Sequence, residues 1–408
     1  MHIIGVLISV FILNVSNGLK LQEQFSWSKV EFNWPSLTDK KNSLQSGHYI
    51  PKNNVILGIE RWKDVLFVTV PRWKFGVAST LNYIHLSDTS LSPKLTPYPS
   101  WETNLLSNEP SESSLVSTYR IKVDECDRLW VVDDGIDNFI DGPTQIAPAA
   151  IVIFDLNRNQ LIRRFIIPHK LIKPDSFLAN TVIDTPKDDC DNSFAYIADA
   201  GAFGIIVYSF KENRAWKIHH NFFHIDPMSG LFKVSDISFT WNDGVFGMAL
   251  HNLKHDSSRE VFFHSLSGTK EFVVSNEILK NDSYAISTDT VYEEFRVVGD
   301  RGEKGHSTTE VLDRKNNVMF FTQVARNGIG CWNLNSPLNS TTAVLVDSDA
   351  VSLIMPIDIT LDREGFIWVV SNRMPHFLHD RMDFEDNNYR ILVAKSDDLI
   401  KGTICDIN

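Results

Sequence analysis

The 408-residue chain is 43% hydrophobic and 22% charged, with 26 Phe, 10 Trp, 20 Gly, 16 Pro and 4 Cys, which excludes a disordered chain, a collagen-like repeat and a disulfide-built miniprotein. A net charge of −12 and a pI near 5.5, with no long basic run, argue against nucleic acid or an anionic membrane as partner. The acidic balance suits a cationic ligand, or simply a solvated surface, and leaves the oligomeric state open.

The chain opens with an apolar run from Ile3 to Leu13, followed by Ser16 and Gly18 at the small-residue positions of a cleavage site. Residues 1–18 therefore read as a secretory signal peptide, too short to span a bilayer. No later stretch approaches the roughly 18 apolar residues of a transmembrane helix, so the mature protein is expected to be secreted and extracellular.

From there short β-branched and aromatic runs recur, bounded by Asp, Asn, Gly and Pro. The first unit sets Val55-Ile-Leu-Gly-Ile59 before Val65-Leu-Phe-Val-Thr-Val70 and Thr80-Leu-Asn-Tyr-Ile84. The second has Tyr119-Arg-Ile-Lys-Val123, Arg128-Leu-Trp-Val-Val-Asp133 and Ile151-Val-Ile-Phe154; the third has Ala179-Asn-Thr-Val-Ile183, Phe194-Ala-Tyr-Ile-Ala-Asp199 and Ile205-Ile-Val-Tyr208. The fourth has Val245-Phe-Gly-Met-Ala-Leu250, Glu260-Val-Phe-Phe-His-Ser265 and Glu271-Phe-Val-Val274. The fifth has Thr309-Glu-Val-Leu312, Val318-Met-Phe-Phe-Thr-Gln323 and Ile329-Gly-Cys-Trp332, and the sixth Ile357-Asp-Ile-Thr-Leu361, Phe366-Ile-Trp-Val-Val-Ser371 and Arg390-Ile-Leu-Val393.

Each middle run carries an aromatic at its third position: Phe67, Trp130, Tyr196, Phe262, Phe320 and Trp368, spaced by 63, 66, 66, 58 and 48 residues. Polar turns such as Asp124-Glu-Cys-Asp127 and Asp362-Arg-Glu-Gly365 separate the first two runs of a unit, as hairpins require. Six three-strand phrases with a fourth strand in the connections describe an all-β, six-bladed β-propeller, one domain over residues 19–408. Two tandem β-sandwiches would give spaced strands too, but not the same phrase six times.

In a secreted chain Cys126, Cys190, Cys331 and Cys405 favour two disulfides, and no Cys/His spacing suggests zinc. Cys126 and Cys190 occupy nearly equivalent turns of adjacent units, which can approach the roughly 5.5 Å a disulfide needs. Cys331 in the fifth unit would then fasten Cys405 and the tail. Asn281-Asp-Ser283 and Asn339-Ser-Thr341 are expected glycosylation sites, whereas Asn14-Val-Ser16 falls in the predicted signal.

Propellers hold ligands in the central channel, so polar residues that close the repeated runs are site candidates. Asp133, Asp199 and Asn372 end or follow their runs, Asp358 opens the last unit, and Asp243 precedes Gly244 before the fourth. Converging carboxylates suit an ammonium group or a divalent cation. Turn formation is the plainer role for Asp133 and Asp243. His220 and His224 lack the glutamate of a zinc-protease helix, Gly299-Asp-Arg-Gly-Glu-Lys-Gly305 lacks a P-loop ending, and there is no GxSxG. No metal or cofactor is expected, and binding is favoured over covalent catalysis.

Specific residues then point to a family. Phe25-Ser-Trp27, Ser46-Gly-His-Tyr-Ile-Pro51, Leu66-Phe-Val-Thr-Val-Pro-Arg-Trp73, Pro97-Tyr-Pro-Ser-Trp101, Tyr119-Arg-Ile-Lys-Val-Asp-Glu-Cys-Asp-Arg-Leu-Trp130, Gly328-Ile-Gly-Cys-Trp332 and Ser371-Asn-Arg-Met-Pro-His-Phe377 resemble the insect Yellow / major royal jelly protein family, in its Yellow branch, across essentially the whole mature chain. The resemblance implies a secreted six-bladed propeller, roles in cuticle pigmentation and melanin metabolism, dopachrome conversion in some members and biogenic-amine binding in salivary relatives.

In those amine-binding relatives the Ser-Asn segment of the last unit contacts ligand, which Ser371-Asn372 matches. The nearby aromatic is Met374 here, a hydroxyl is replaced by Ile357, and a further cysteine pair is absent around Leu106-Ser-Asn-Glu-Pro110 and Ile146-Ala-Pro-Ala149. These departures weaken a transfer of amine specificity. The expected function is binding of a catechol- or indole-derived small molecule in the channel. Dopachrome tautomerisation, with Asp199, Asp358 or a histidine as base, is the enzymatic alternative. A metal-assisted hydrolase and a purely structural or interaction role stand behind these.

Overall fold

The structure, a computed structural model, describes residues 19–106, 111–252, 258–285 and 291–406; the expected signal peptide, residues 1–18, lies outside them. Six four-stranded antiparallel sheets are arranged as a six-bladed propeller, with two short two-stranded ribbons added. Blade 1 comprises Ile59–Trp62, Val65–Thr69, Leu81–His85 and Thr96–Pro97, and blade 2 comprises Thr118–Val123, Arg128–Asp133, Ala150–Asp155 and Gln160–Ile166. Leu178–Asp184, Phe194–Asp199, Gly204–Ser209 and Arg214–His219 make blade 3. Blade 4 is Val245–Asn252, Arg259–Ser265, Lys270–Ser275 and Arg296–Asp300, and blade 5 is Glu310–Asp313, Val318–Gln323, Gly328–Asn333 and Val344–Ser348.

Blade 6 is built differently. Pro356–Leu361, Phe366–Ser371 and Tyr389–Lys395 are its three inner strands, and its outer strand is Gln22–Trp27 from the other end of the chain. Phe25 pairs with Ile391 and Trp27 with Tyr389, all four buried. This edge is hidden because another part of the same chain covers it.

The second strand of each blade is sandwiched between neighbouring blades, which is why its central residues run apolar rather than alternating. Arg128–Asp133 is buried at every position. The recurrent aromatic also has a polar duty where it carries a donor. Trp130 Nε1 donates to Asp124 at 2.8 Å, Trp368 Nε1 to Asp362 at 2.8 Å, and the Tyr196 hydroxyl to Asp184 at 2.9 Å. In each case the ring tip fixes the carboxylate where the inner strand turns into the second, and the acid ties down a turn or a cation in exchange. Asp124 also accepts the Cys126 and Arg128 amides at 2.9 and 3.0 Å.

Two strands differ from the sequence reading: the outer strand of blade 6 lies outside the connections that were expected to supply it, and the inner strand of blade 1 starts late. Val55–Ile59 was the expected inner strand of blade 1, yet the ladder begins only at Ile59. A Cβ on Gly58 would stand 2.4 Å from the Tyr119 carbonyl of blade 2, so the chain passes its neighbour as bare backbone before regular pairing starts.

Cys126 is bonded to Cys190, with Cα atoms 6.0 Å apart, joining the inner turns of blades 2 and 3. Cys331 is bonded to Cys405, 6.4 Å apart, fastening the tail to blade 5. The Asn281 and Asn339 side chains are exposed, each accepting from the hydroxyl of its own sequon, Ser283 at 2.7 Å and Thr341 at 2.6 Å.

Candidate functional site in the divided channel

The six inner strands surround an axis that one side chain divides. Arg120, on the inner strand of blade 2, donates through Nε to Asp358 of blade 6 at 3.2 Å and through Nη1 to the Ala179 carbonyl of blade 3 at 2.8 Å. Its Nη2 donates to the Ile357 carbonyl at 2.5 Å, and its guanidinium lies 5.0 Å from the ring centre of Phe246 in blade 4. Asp358 in turn accepts the Ile59 amide of blade 1 at 3.0 Å. Five blades thus meet on one buried ion pair, and burial pulls the Arg120 guanidinium below its usual range against the pull of Asp358. Above and below it lie two different chambers.

Asp133, Asp199 and Asn372 stand at equivalent points above this division, where the second strands of blades 2, 3 and 6 end. Asp133 accepts the Ser117 and Gly135 amides at 2.9 and 3.1 Å, with Arg164 at 3.5 Å; burial nonetheless pushes its carboxyl upward. Asp199 accepts the Phe177 and Ala202 amides at 3.0 Å each, Ser176 Oγ at 2.6 Å and Lys217 Nζ at 2.5 Å. Asn372 donates to the Ile56 carbonyl at 2.9 Å and accepts the Met374 amide at 3.1 Å. All three side chains are committed to holding neighbouring backbone.

Asp358 belongs to the dividing ion pair. Asp243 sits apart, at the upper rim between blades 3 and 4, where its hydrogen-bond partner is Trp241 Nε1 at 2.5 Å and burial raises its carboxyl to about 6. Met374 is buried among the apolar groups of the upper chamber.

That chamber is filled by aromatic rings from five blades. Trp73 of blade 1 meets Phe377 of blade 6 at 6.5 Å, Tyr119 of blade 2 meets Phe177 at the start of blade 3 at 4.9 Å, and Phe177 meets Phe246 of blade 4 at 6.0 Å. A hairpin, Leu231–Val234 and Ile237–Thr240, covers them with Phe232 and Phe239 stacked at 5.5 Å, and Trp241 beside them. The hairpin turn reaches blade 6, where Asp236 meets Arg381 at 3.3 Å and His376 at 3.6 Å. These are largely exposed contacts of the kind worth about 1 kcal/mol or less. The roof is thus packed onto the aromatic floor through the buried Phe232 and Val234, and the Asp236 contacts add a weak latch at its edge.

Beneath the roof lies a titratable pair that the sequence reading did not single out. The Tyr119 hydroxyl donates to Asp134, whose other oxygen accepts the Ile136 amide at 2.9 Å. Burial pushes the Asp134 carboxyl up to about 8 and the Tyr119 hydroxyl well above its usual range. Alternation along Tyr119-Arg-Ile-Lys122 marks Arg120 and Lys122 as facing something polar, met by Asp358 and Glu60, and carries no sign of the Tyr119–Asp134 contact.

Below Arg120 the channel widens into a funnel of about 800 Å³ bounded by the inner strands of all six blades. At its narrow end Glu60 of blade 1, Lys122 of blade 2 and Thr360 of blade 6 meet. Glu310 also borders the funnel, and its carboxylate turns toward His264 of blade 4.

His264 Nδ1 lies 3.1 Å from both Glu271 and Glu310, and its Nε2 is 3.1 Å from the Ser307 carbonyl. Gly247 makes room for the imidazole, because a Cβ there would stand 2.2 Å from the ring. One nitrogen and two carboxylates within 4.8 Å could in principle ligate a metal, but Arg301 already donates to Glu271. With Arg301 and a protonated His264 the four side chains balance in charge. Burial and the neighbouring Glu271 carboxylate push the Glu310 carboxyl up to about 7.

The family model described as "Major royal jelly protein" matches residues 116–405. "Protein yellow" of Drosophila madeirensis is 38% identical over 405 residues, covering 98% of this chain and 70% of its own length. "Protein yellow" of Drosophila guanche is 39% identical over 391 residues, covering 95% of this chain and 68% of its own. A solved Bacteroides thetaiotaomicron protein of unknown function aligns over 92% of this chain and 75% of that one, at 9% identity and TM-score 0.49, too distant to bear on function.

Proposed function

This chain belongs to the Yellow and major royal jelly protein family, and from that premise we propose that it acts in cuticle pigmentation or melanin metabolism by binding a catechol- or indole-derived small molecule in the upper chamber. The family assignment itself makes it a secreted, extracellular protein linked to pigmentation. The observation that carries the ligand reading is the aromatic layer over Arg120. A planar ring entering beneath the hairpin exchanges ring-on-ring contacts for equivalent ones, each worth about 0.5–1.5 kcal/mol beyond area burial, with Phe232 and Phe239 of the hairpin among its partners.

Calorimetry with dopamine, serotonin and histamine tests it. Heat from dopamine or serotonin, altered by Phe239→Ala or Trp241→Ala in the roof, is the expected result. Folded protein that gives no heat with any of the three leaves a structural or interaction role.

Asp134 favours one further reading, dopachrome tautomerisation. A carboxyl whose pKa lies near 8 and which touches a tyrosine hydroxyl is suited to taking a proton from an acidic carbon and returning it. Dopachrome that decays at the no-protein rate in the presence of the purified protein removes this reading.

A further inference from the structure

We propose that the lower funnel is a separate binding site for a small zwitterion of the α-amino-acid class, held by Glu60 and Lys122. It goes beyond the ligand reading above, since Arg120 and Asp358 close off the two chambers from each other.

The charges at the narrow end are incompletely used. Glu60 Oε2 receives both Lys122 Nζ at 3.1 Å and Thr360 Oγ1 at 2.8 Å, while Oε1 has no hydrogen-bond partner among the described residues. Lys122 has three donors, and besides Glu60 it reaches, among the described residues, only Thr360 Oγ1, at 3.4 Å. The Glu60 side chain is 10% exposed and that of Lys122 is 22% exposed, so both have left most of their hydration while keeping hydrogen-bonding capacity in reserve. An ion pair in this position recovers its desolvation cost only when those remaining sites are filled.

The two charges also select what can fill them. A simple amine approaching Glu60 meets the Lys122 ammonium about one hydrogen bond away, and a simple carboxylate approaching Lys122 meets Glu60. A ligand with its own ammonium and carboxylate one carbon apart satisfies both, the ammonium on Glu60 Oε1 and the carboxylate on Lys122 Nζ. Val182, Ala249, Leu250 and Val311 supply apolar wall for a side chain, and a funnel of about 800 Å³ admits one of aromatic size.

The test is calorimetry on the full-length secreted protein with L-leucine and L-phenylalanine, alongside the half-molecules 2-phenylethylamine and 3-phenylpropionate. At least one amino acid is expected to bind, and each half-molecule to bind at least tenfold more weakly than L-phenylalanine. Glu60→Gln and Lys122→Met should each weaken amino-acid binding at least tenfold.

Should either variant fail to fold, the half-molecule comparison on the unaltered protein still decides. Val311→Trp, which fills the funnel from a partly exposed wall position, gives a second route to the same loss. Roof variants at Phe239 or Trp241 should leave amino-acid binding unchanged, which separates this site from the upper chamber. The proposal is overturned if neither amino acid binds at millimolar concentration, if 2-phenylethylamine binds as tightly as phenylalanine, or if folded Lys122→Met keeps full affinity. In those cases the pair is a hydrated structural contact or a plain cation site.

Discussion

Arg120 and Asp358 meet across the propeller axis at 3.2 Å, with side chains only 2% and 4% exposed, and between them they touch five of the six blades. Removing one partner strands the other charge in a closed space. Arg120→Met is expected to lower stability by about 3–5 kcal/mol in urea unfolding. Arg120→Met combined with Asp358→Leu should cost clearly less than the two single changes added together. Strict additivity would show that the two residues contribute independently.

Asn372 is tied to the carbonyl of Ile56 and the amide of Met374, linking blade 6 to the segment leading into blade 1. Asn372→Ala leaves both groups buried and unpaired, an expected loss of about 1–3 kcal/mol. A melting temperature equal to that of the unaltered protein would mean that this linkage carries no weight. If the side chain also contacts ligand, as the resemblance to amine-binding relatives implies, affinity in the upper chamber should fall more than tenfold as well.

Asp134 should leave a pH signature in stability. Unfolded, its carboxyl releases its proton near 3.8; folded, it keeps it to about 8. Between those values the folded chain holds a proton that the unfolded chain has lost, so stability falls as pH rises through the window, by at most about 1.4 kcal/mol per pH unit. Asp134→Asn lacks this term. Its melting temperature should therefore gain on that of the unaltered protein steadily from pH 4 to 8, and a pH-independent difference would contradict the assignment.

The two disulfides close sequence separations of 64 and 74 residues. On the chain-entropy model each is worth roughly 4 kcal/mol. Replacing Cys331 and Cys405 together by Ser should free the tail and lower the denaturation midpoint. The Cys126→Ser, Cys190→Ser double variant should do so by a comparable amount, since the two separations are similar. A midpoint unmoved by either change would show that blade packing alone fixes those segments.

Much of the ring was legible because burial on both faces forces the second strands to be apolar and an aromatic to recur at one place, as Trp130 and Trp368 do. Local turn chemistry around Asp124 and Asp362 then marked the hairpins. What remained hidden depends on long-range neighbours. Gly58 gives no local sign that the Tyr119 carbonyl will crowd it, and nothing within Gln22–Trp27 shows that Tyr389–Lys395 will be beside it. The candidate acids were placed at the right end of the strands, but spacing does not reveal that the Ser117 and Gly135 amides occupy Asp133, or that Arg120 crosses the axis.

Among the described residues, the outer strand of blade 6 comes first along the chain and the three strands that receive it come last. Folding during translation therefore cannot close the ring before Tyr389–Lys395 has been made. A nascent chain holding five finished blades still has open edges at both ends, the state in which strands pair with the wrong partner. Secretion of this protein should accordingly lean on chaperones until Tyr389–Lys395 emerges, and a bulky fusion placed just ahead of Gln22 should impair yield more than the same fusion inserted at the exposed turn around Asn339.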